Sequence, residues 1–384
     1  KAATIASLLS AYRRHLESLI SELAQESIEH LTPVDLTYKG LQVAELAELS
    51  TRYAIEDLYP FSPLQEGLYY HWATNPEAAA YFEQLSYRIR GQLNVQLLEQ
   101  SYQLLVARHA ILRTSFTEQL LQVVQKNVSG IFNYETINEN DVIAYRDQDR
   151  SLGFDLHSGS QMRLNVLGLG DDTYEFIWSF HHILMDGWCG SILIKEFFQY
   201  YHALSQGIKP DLKPVYPYSA YFNWLAQKDK AATLAYWHTY LQGYDTIAGL
   251  PRTTSATGRQ YDGQKRSLYL EGALRKGISK LCAQIGITEN TFIQVMWGIL
   301  LSRYNDTDDV VFGTVVSGRP PEVEGIEEMI GLFINTIPVR VHLKDNASIK
   351  ETLQYLQQSS IESTSHHYVQ LAEVQSQSEL GRNL

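Results

Sequence analysis

Residues 174–204 read YEFIWSFHHILMDGWCGSILIKEFFQYYHAL. The first part alternates, putting Phe176, Trp178 and Phe180 on one face of a strand; the last part puts Ile194, Phe197, Phe198 and Tyr201 on one side of a helix. Between them lies His181-His182-Ile183-Leu184-Met185-Asp186-Gly187. Successive strand side chains point to opposite faces, so His181 and His182 cannot both serve one site if the strand runs through them, and one is expected to be structural. Gly187 falls where strand gives way to helix, so its amide and the positive helix end can favour a developing oxyanion. No metal site is expected, because adjacent strand histidines diverge and neither His-Glu-x-x-His nor a cysteine cluster completes a ligand set. Cys189 and Ser317 are weaker nucleophile candidates, since no Gly-x-Ser-x-Gly elbow is present.

Outward from this stretch, helical and strand patterns mix. Helices are expected over 64–72, 95–109, 274–285 and 291–304, and strands over 85–90, 112–116, 310–316 and 335–341. The order is that of an α+β or α/β protein. Thr114–Val124 joins two strand-like runs without Gly, Pro, Asn or Asp, which predicts a longer loop near Glu118–Leu121 than the residues present supply. A proline-bearing stretch at Lys209–Tyr218 and a second series of elements from Lys265 divide the chain into residues 52–225 and 226–384. Ahead of them, 1–51 reads as an amphipathic helix, with Ile5, Leu8, Leu9, Tyr12, Leu16, Leu19, Ile20 and Leu23 on its apolar face, then a polar connector anchored by Leu41, Leu46 and Leu49. The helix opens on a lysine and is either the end of an upstream domain or an ordinary leading helix.

The 384 residues, 45% hydrophobic and 19% charged, are a globular composition long enough for two lobes. No apolar run approaches the roughly 20 residues that cross a bilayer. Two cysteines give no disulfide framework, which fits a reducing cytoplasm. The net charge of -12 and the lack of a basic stripe oppose a nucleic-acid partner.

The His181–Gly187 run resembles the HHxxxDG signature of nonribosomal peptide synthetase condensation domains and the wider chloramphenicol acetyltransferase-like superfamily. Other segments resemble family motifs in the same order: Ser62–Gly67 (SPLQEG), Arg108–Phe116 (RHAILRTSF), Ile330–Arg340 (IGLFINTIPVR) and His366-His367-Tyr368. The resemblance covers about Ile55 to Leu384. It implies an α/β fold (an α+β two-layer sandwich) in which two acetyltransferase-like lobes form a V-shaped pseudo-dimer. A tunnel between them would admit phosphopantetheine arms from two sides. Family members continue beyond the last motif, so the resemblance also implies an incomplete second lobe.

By resemblance His182 is the active-site residue, acting either as general base or by positioning an amine, and His181 and Gly187 support the turn. Asp186 is expected to turn away from substrate and pair with an arginine, Arg113 in the first place and Arg163 as the rival. Ser317 is expected to line the tunnel, Trp188 either to line it or to pack in the core, and Asn335 either to reach the cleft or to be structural. His366 and His367 are expected to be structural. The reaction needs no cofactor bound by the domain itself; donor and acceptor carrier proteins bring phosphopantetheine-linked substrates. The wording of His181–Cys189, with the leading helix and the linker Leu31–Leu41, resembles domains that accept a D-configured donor and follow an epimerization domain. An adenylation domain is expected downstream. An inactive recruitment module or an epimerization domain of the same fold is the alternative.

Overall fold

The leading helix α1 (Ala2–Gln25) carries the apolar stripe read from the sequence, and the eight apolar side chains of that stripe, from Ile5 to Leu23, are exposed. The computed structural model describes residues 1–25, 31–76, 80–250, 266–344, 346–381 and 384; the start expected at Lys265 for the second series of elements lies outside them. Helix α2 (Val43–Arg52) opens on Gln42, whose N–H donates to the Glu45 carboxylate at 2.7 Å. Its Leu46 and Leu49 are buried with Leu36, Ile55, Leu58, Leu121 and Val123, as the anchoring role required, and Leu41 is half-buried beside them.

Next come β1 (Ile55–Pro60), α3 (Pro63–Thr74), β2 (Phe82–Arg90), α4 (Val95–Arg108), β3 (Thr114–Phe116), β4 (Leu121–Gln125), β5 (Ile131–Thr136), α5 (Val142–Ser151), β6 (Met162–Gly170), β7 (Thr173–His181) and α6 (Cys189–Gln206). Strands β1, β4 and β3 make a small antiparallel sheet. The connection from β3 to β4 needs no longer loop. Thr117–Leu120 turn the chain with Leu120 at φ 57°, a left-handed conformation that its side chain disfavours and that the sequence pattern therefore did not signal. The strand expected over 112–116 starts only at Thr114, because Ala110–Arg113 wind into a 3-10 turn.

The larger sheet has the order β2-β7-β6-β5, with only β5 and β6 parallel. Its central strand β7 is covered on both faces. On one face, Trp178 meets Tyr102 of α4 and Phe197 of α6 with ring centroids 5.8 and 5.3 Å apart, and Phe176 stacks on its cross-strand neighbour Tyr87. On the other face, Asp149 of α5 is sealed beneath Ser179, Arg163, Asn165 and Gln84. Burial pushes the Asp149 carboxyl up, but the bonds from Ser179 and Arg163 outweigh it and leave it below the usual carboxylate range.

Helix α7 (Ser219–Leu225) adds Tyr221 and Phe222 to this first core. The remaining elements are α8 (Lys230–Leu241), α9 (Gly272–Ile285), α10 (Glu289–Asn305), β8 (Asp309–Val316), β9 (Asn335–His342), α11 (Ile349–Ser363) and α12 (Leu371–Gln375). Antiparallel β8 and β9 share a core with α10 and α11 around Val295, Val310, Val341 and Leu353. Gly298 lets α10 approach β9: a Cβ there would meet Val341 at 2.6 Å. The chain between β8 and β9 does not stay with this second core. Val323, Ile326, Met329, Ile330, Leu332 and Phe333 enter the first core, beside Leu184, Met185 and Cys189. Among the described residues no helix is long and apolar enough to cross a membrane.

Candidate active site at the lobe junction

Strand β7 ends at His181, and the chain turns at once through His182 and Ile183. Four bonds fix that turn. The His181 N–H donates to the Gln161 carbonyl at 3.0 Å, and the His182 N–H to the carbonyl of Tyr81 at 2.8 Å. The Ile183 N–H donates to His181 Nδ1 at 3.1 Å, and the Ile183 carbonyl accepts from Gln65 Nε2 at 3.0 Å. His181 is buried, and because β7 ends at it the alternation of the strand does not extend to His182. Burial, reinforced by His182, lowers the His181 pKa to about 4, so Nδ1 stays free to accept. His182 is half-buried. No bond to either ring nitrogen is made within the described residues; Nδ1 is sealed without a partner, and Nε2 is the nitrogen left accessible.

Asp186 does not orient His182. Its carboxylate accepts from Arg319 Nη2 at 3.1 and 3.4 Å, from the Trp188 N–H at 3.1 Å and from the Phe333 N–H at 3.3 Å. Both side chains of the ion pair are sealed. Arg319 also donates to the carbonyls of Ile326 and Met329 and lies 4.1 Å from the Phe333 ring centroid. Gly318, at φ 59°, permits this path: a Cβ there would overlap the Phe333 carbonyl. The segment between β8 and β9 is thus tied to the first lobe through the loop that carries the histidines.

This corrects the partner expected for Asp186. Arg113 instead pairs with Glu56 at 2.6 Å and caps the Gln125 carbonyl, joining β1 to the end of β4 in the small sheet. Arg163 lies opposite Ser179 on the α5 side of β7, where Asp149 takes it at 2.5 Å. Neither is beside the loop beyond the end of β7. Asn335 is likewise not available to a substrate: Nδ2 donates to the carbonyls of His367 and Val369, both at 2.7 Å, and Oδ1 accepts from the Thr336 N–H.

Trp188 is half-exposed, outside the core, and donates its indole N–H to the Glu327 carbonyl at 2.8 Å, covering the Asp186–Arg319 pair from outside. Ser317 lines a junction cavity of about 190 Å³ with Tyr221, Trp224, Lys228, His367 and Tyr368. Gly187 is exposed, its N–H makes no bond within the described residues, and it lies just before α6. Cys189 is buried against Arg319 and Gly331; burial, then Asp186, pushes its thiol up to about 12, which suits packing and not attack. Sequence reasoning missed Gln65 and Arg319 as supports of this site. Gln65 stood inside a recognised motif, and Arg319 followed Gly318 in a stretch weighed only for Ser317.

Residues 55–384 match the family model "Condensation domain". The chain belongs to the condensation-domain family. It is 36% identical over 396 residues to bacitracin synthase 1 of Bacillus licheniformis, covering 99% of this chain and 8% of that protein. To bacitracin synthase 3 of the same organism it is 37% identical over 395 residues, covering 99% and 6%. The chain is therefore a small part of the length of these relatives. Among solved structures, the starter condensation domain of rhizomide synthetase RzmA aligns with a TM-score of 0.69 at 18% identity, covering 85% of this chain and 76% of that one. An X-domain from teicoplanin biosynthesis, in complex with OxyB, aligns at 0.71 and 21%, covering 83% and 73%. These likenesses establish the mixed α/β fold of condensation-domain structures.

Proposed function

We propose that this condensation domain joins two carrier-bound groups by a peptide bond at His182. The α-amine of an acceptor aminoacyl thioester attacks the carbonyl of a donor peptidyl or aminoacyl thioester; the C–N bond forms, a tetrahedral oxyanion collapses, and the donor thiol leaves. The observation that carries this reading is His182 itself: its backbone is fixed on both sides while its ring makes no bond within the described residues. An α-amine has an ordinary pKa of about 7.7 to 8.0, so a nearby imidazole has only modest work in securing the free base. The Gly187 N–H, just before α6, is assigned to the oxyanion. Phosphopantetheine arms belong to the carrier proteins and enter with the substrates; Ser317 is assigned to the tunnel wall.

The wording of His181–Cys189 and the exposed apolar face of α1 support a finer reading, in which the donor ends in a D-residue supplied by an upstream epimerization domain and an adenylation domain follows. Inverting the donor α-carbon exchanges hydrogen and side chain, so a tunnel shaped for one configuration clashes with the other or leaves space unfilled. The test supplies the full-length protein with carriers loaded with D- or L-terminated donors and a fixed acceptor, and follows dipeptidyl product by mass spectrometry. Product that depends on His182 and prefers the D-donor is expected. Absence of product with either donor points to a recruitment module; an inverted α-carbon without condensation points to an epimerization domain.

A further inference from the structure

We infer that Gln65 is a positioning residue for His182, acting through the backbone carbonyl of Ile183, the residue that follows the histidine. Gln65 is wholly buried, yet every hydrogen-bonding group of its side chain is engaged. Oε1 accepts from the Ser62 N–H at 2.7 Å, which fixes the amide at the start of α3. Nε2 donates to Gln122 Oε1 at 2.9 Å and to the Ile183 carbonyl at 3.0 Å. Gln122, also buried, donates in turn to the Pro60 carbonyl at 2.8 Å. A chain of buried amides therefore runs from the small sheet to the turn that carries His182.

Both backbone groups of Ile183 are held, its N–H by His181 Nδ1 and its carbonyl, in the next peptide unit, by Gln65. The bonds of the His182 N–H to Tyr81 and of the Ile183 N–H to His181 set the direction of the His182 Cα–Cβ bond, and the Gln65 bond holds the next peptide unit of the turn behind them. Removing the Gln65 donors leaves the Ile183 carbonyl buried and unsatisfied, and the turn can relieve that only by moving. A shift of about 1 Å in a reacting group can cost about 100-fold in rate. Ring and substrate are untouched, so the loss should fall on turnover and not on binding.

This inference rests on the reading that His182 serves peptide-bond formation, and the experiment separates the two. In the full-length protein, kcat and KM for dipeptide formation are measured for Gln65→Met, His182→Ala and the double variant, together with thermal unfolding. Gln65→Met is expected to lower kcat about 10- to 100-fold with KM little changed, and to add no further loss in the His182→Ala background. Wild-type kcat in Gln65→Met alongside an inactive His182→Ala overturns the positioning role while leaving His182 in place. An equal loss in both backgrounds reduces Gln65 to general stability and overturns it too. Should Gln65→Met not fold, Gln65→Glu carries the same test, since it keeps the volume and the acceptor for Ser62 but not the donors.

Discussion

The chain contains two adjacent-histidine pairs, and they meet opposite fates. At the end of β7, His181 is locked by its neighbours and His182 is left with no bond to either ring nitrogen among the described residues. After α11, both members are engaged: His366 bonds Thr233 at 3.1 Å and stacks on Tyr236 with centroids 4.1 Å apart, and His367 bonds Ser363 at 3.0 Å. The dipeptide is the same; the neighbours differ. A histidine pair is a candidate for chemistry only where the fold withholds partners from one ring while fixing its backbone.

The largest expected effect separates the pairs by activity. His182→Ala should lower dipeptide formation by about 100- to 10,000-fold with thermal unfolding nearly unchanged. His367→Ala should do the reverse, lowering the unfolding temperature and retaining turnover in the protein that stays folded. Wild-type turnover in the first variant, or a stable and inactive second one, erases the distinction.

The supports of the two regions can be compared in the same way. Asp186→Asn breaks a sealed ion pair and should cost about 3 kcal/mol or more in urea unfolding. Asp309→Asn breaks the partly exposed Asp309–Arg340 pair of the second lobe and should cost about 1 kcal/mol. Equal costs would mean that the Asp186 loop is not the tighter lobe connection.

Burial in both pairs also makes stability depend on pH, with His366 lowered as well as His181 and His367. His181 and His367 are both lowered to about 4, mainly by burial, whereas the unfolded chain takes up these protons near 6.5. Stability from this source is complete above pH 6.5 and falls as the pH drops toward 4, by up to about 3 kcal/mol for each group. Urea titrations across that window should show a shallower slope in His367→Gln. An unchanged slope would place His367 among groups that titrate alike folded and unfolded.

The smallest effect lies outside both pairs and calibrates them. Leu120 is partly exposed and held at φ 57°, so Leu120→Gly should raise stability by about 1 kcal/mol and leave turnover as it was. A loss of stability would show that the Leu120 side chain does more for the turn than its backbone costs.

The sequence by itself determined the α/β character, the strand that ends in His181 and the helix that follows. Those features are written in spacings of two to four residues, where backbone geometry fixes which side chains share a face. It also carried the family, because several motifs stand in the same order. Only the tertiary structure decided the partners. Asp186 meets Arg319 across 133 residues of chain, and Gln65 meets Ile183 across 118. Arg113 and Arg163 were as plausible by residue type, but each lies where another carboxylate, Glu56 or Asp149, is closer. A buried charge takes the partner that the path of the chain brings to it, and that path is set by packing the whole core, which no local pattern records.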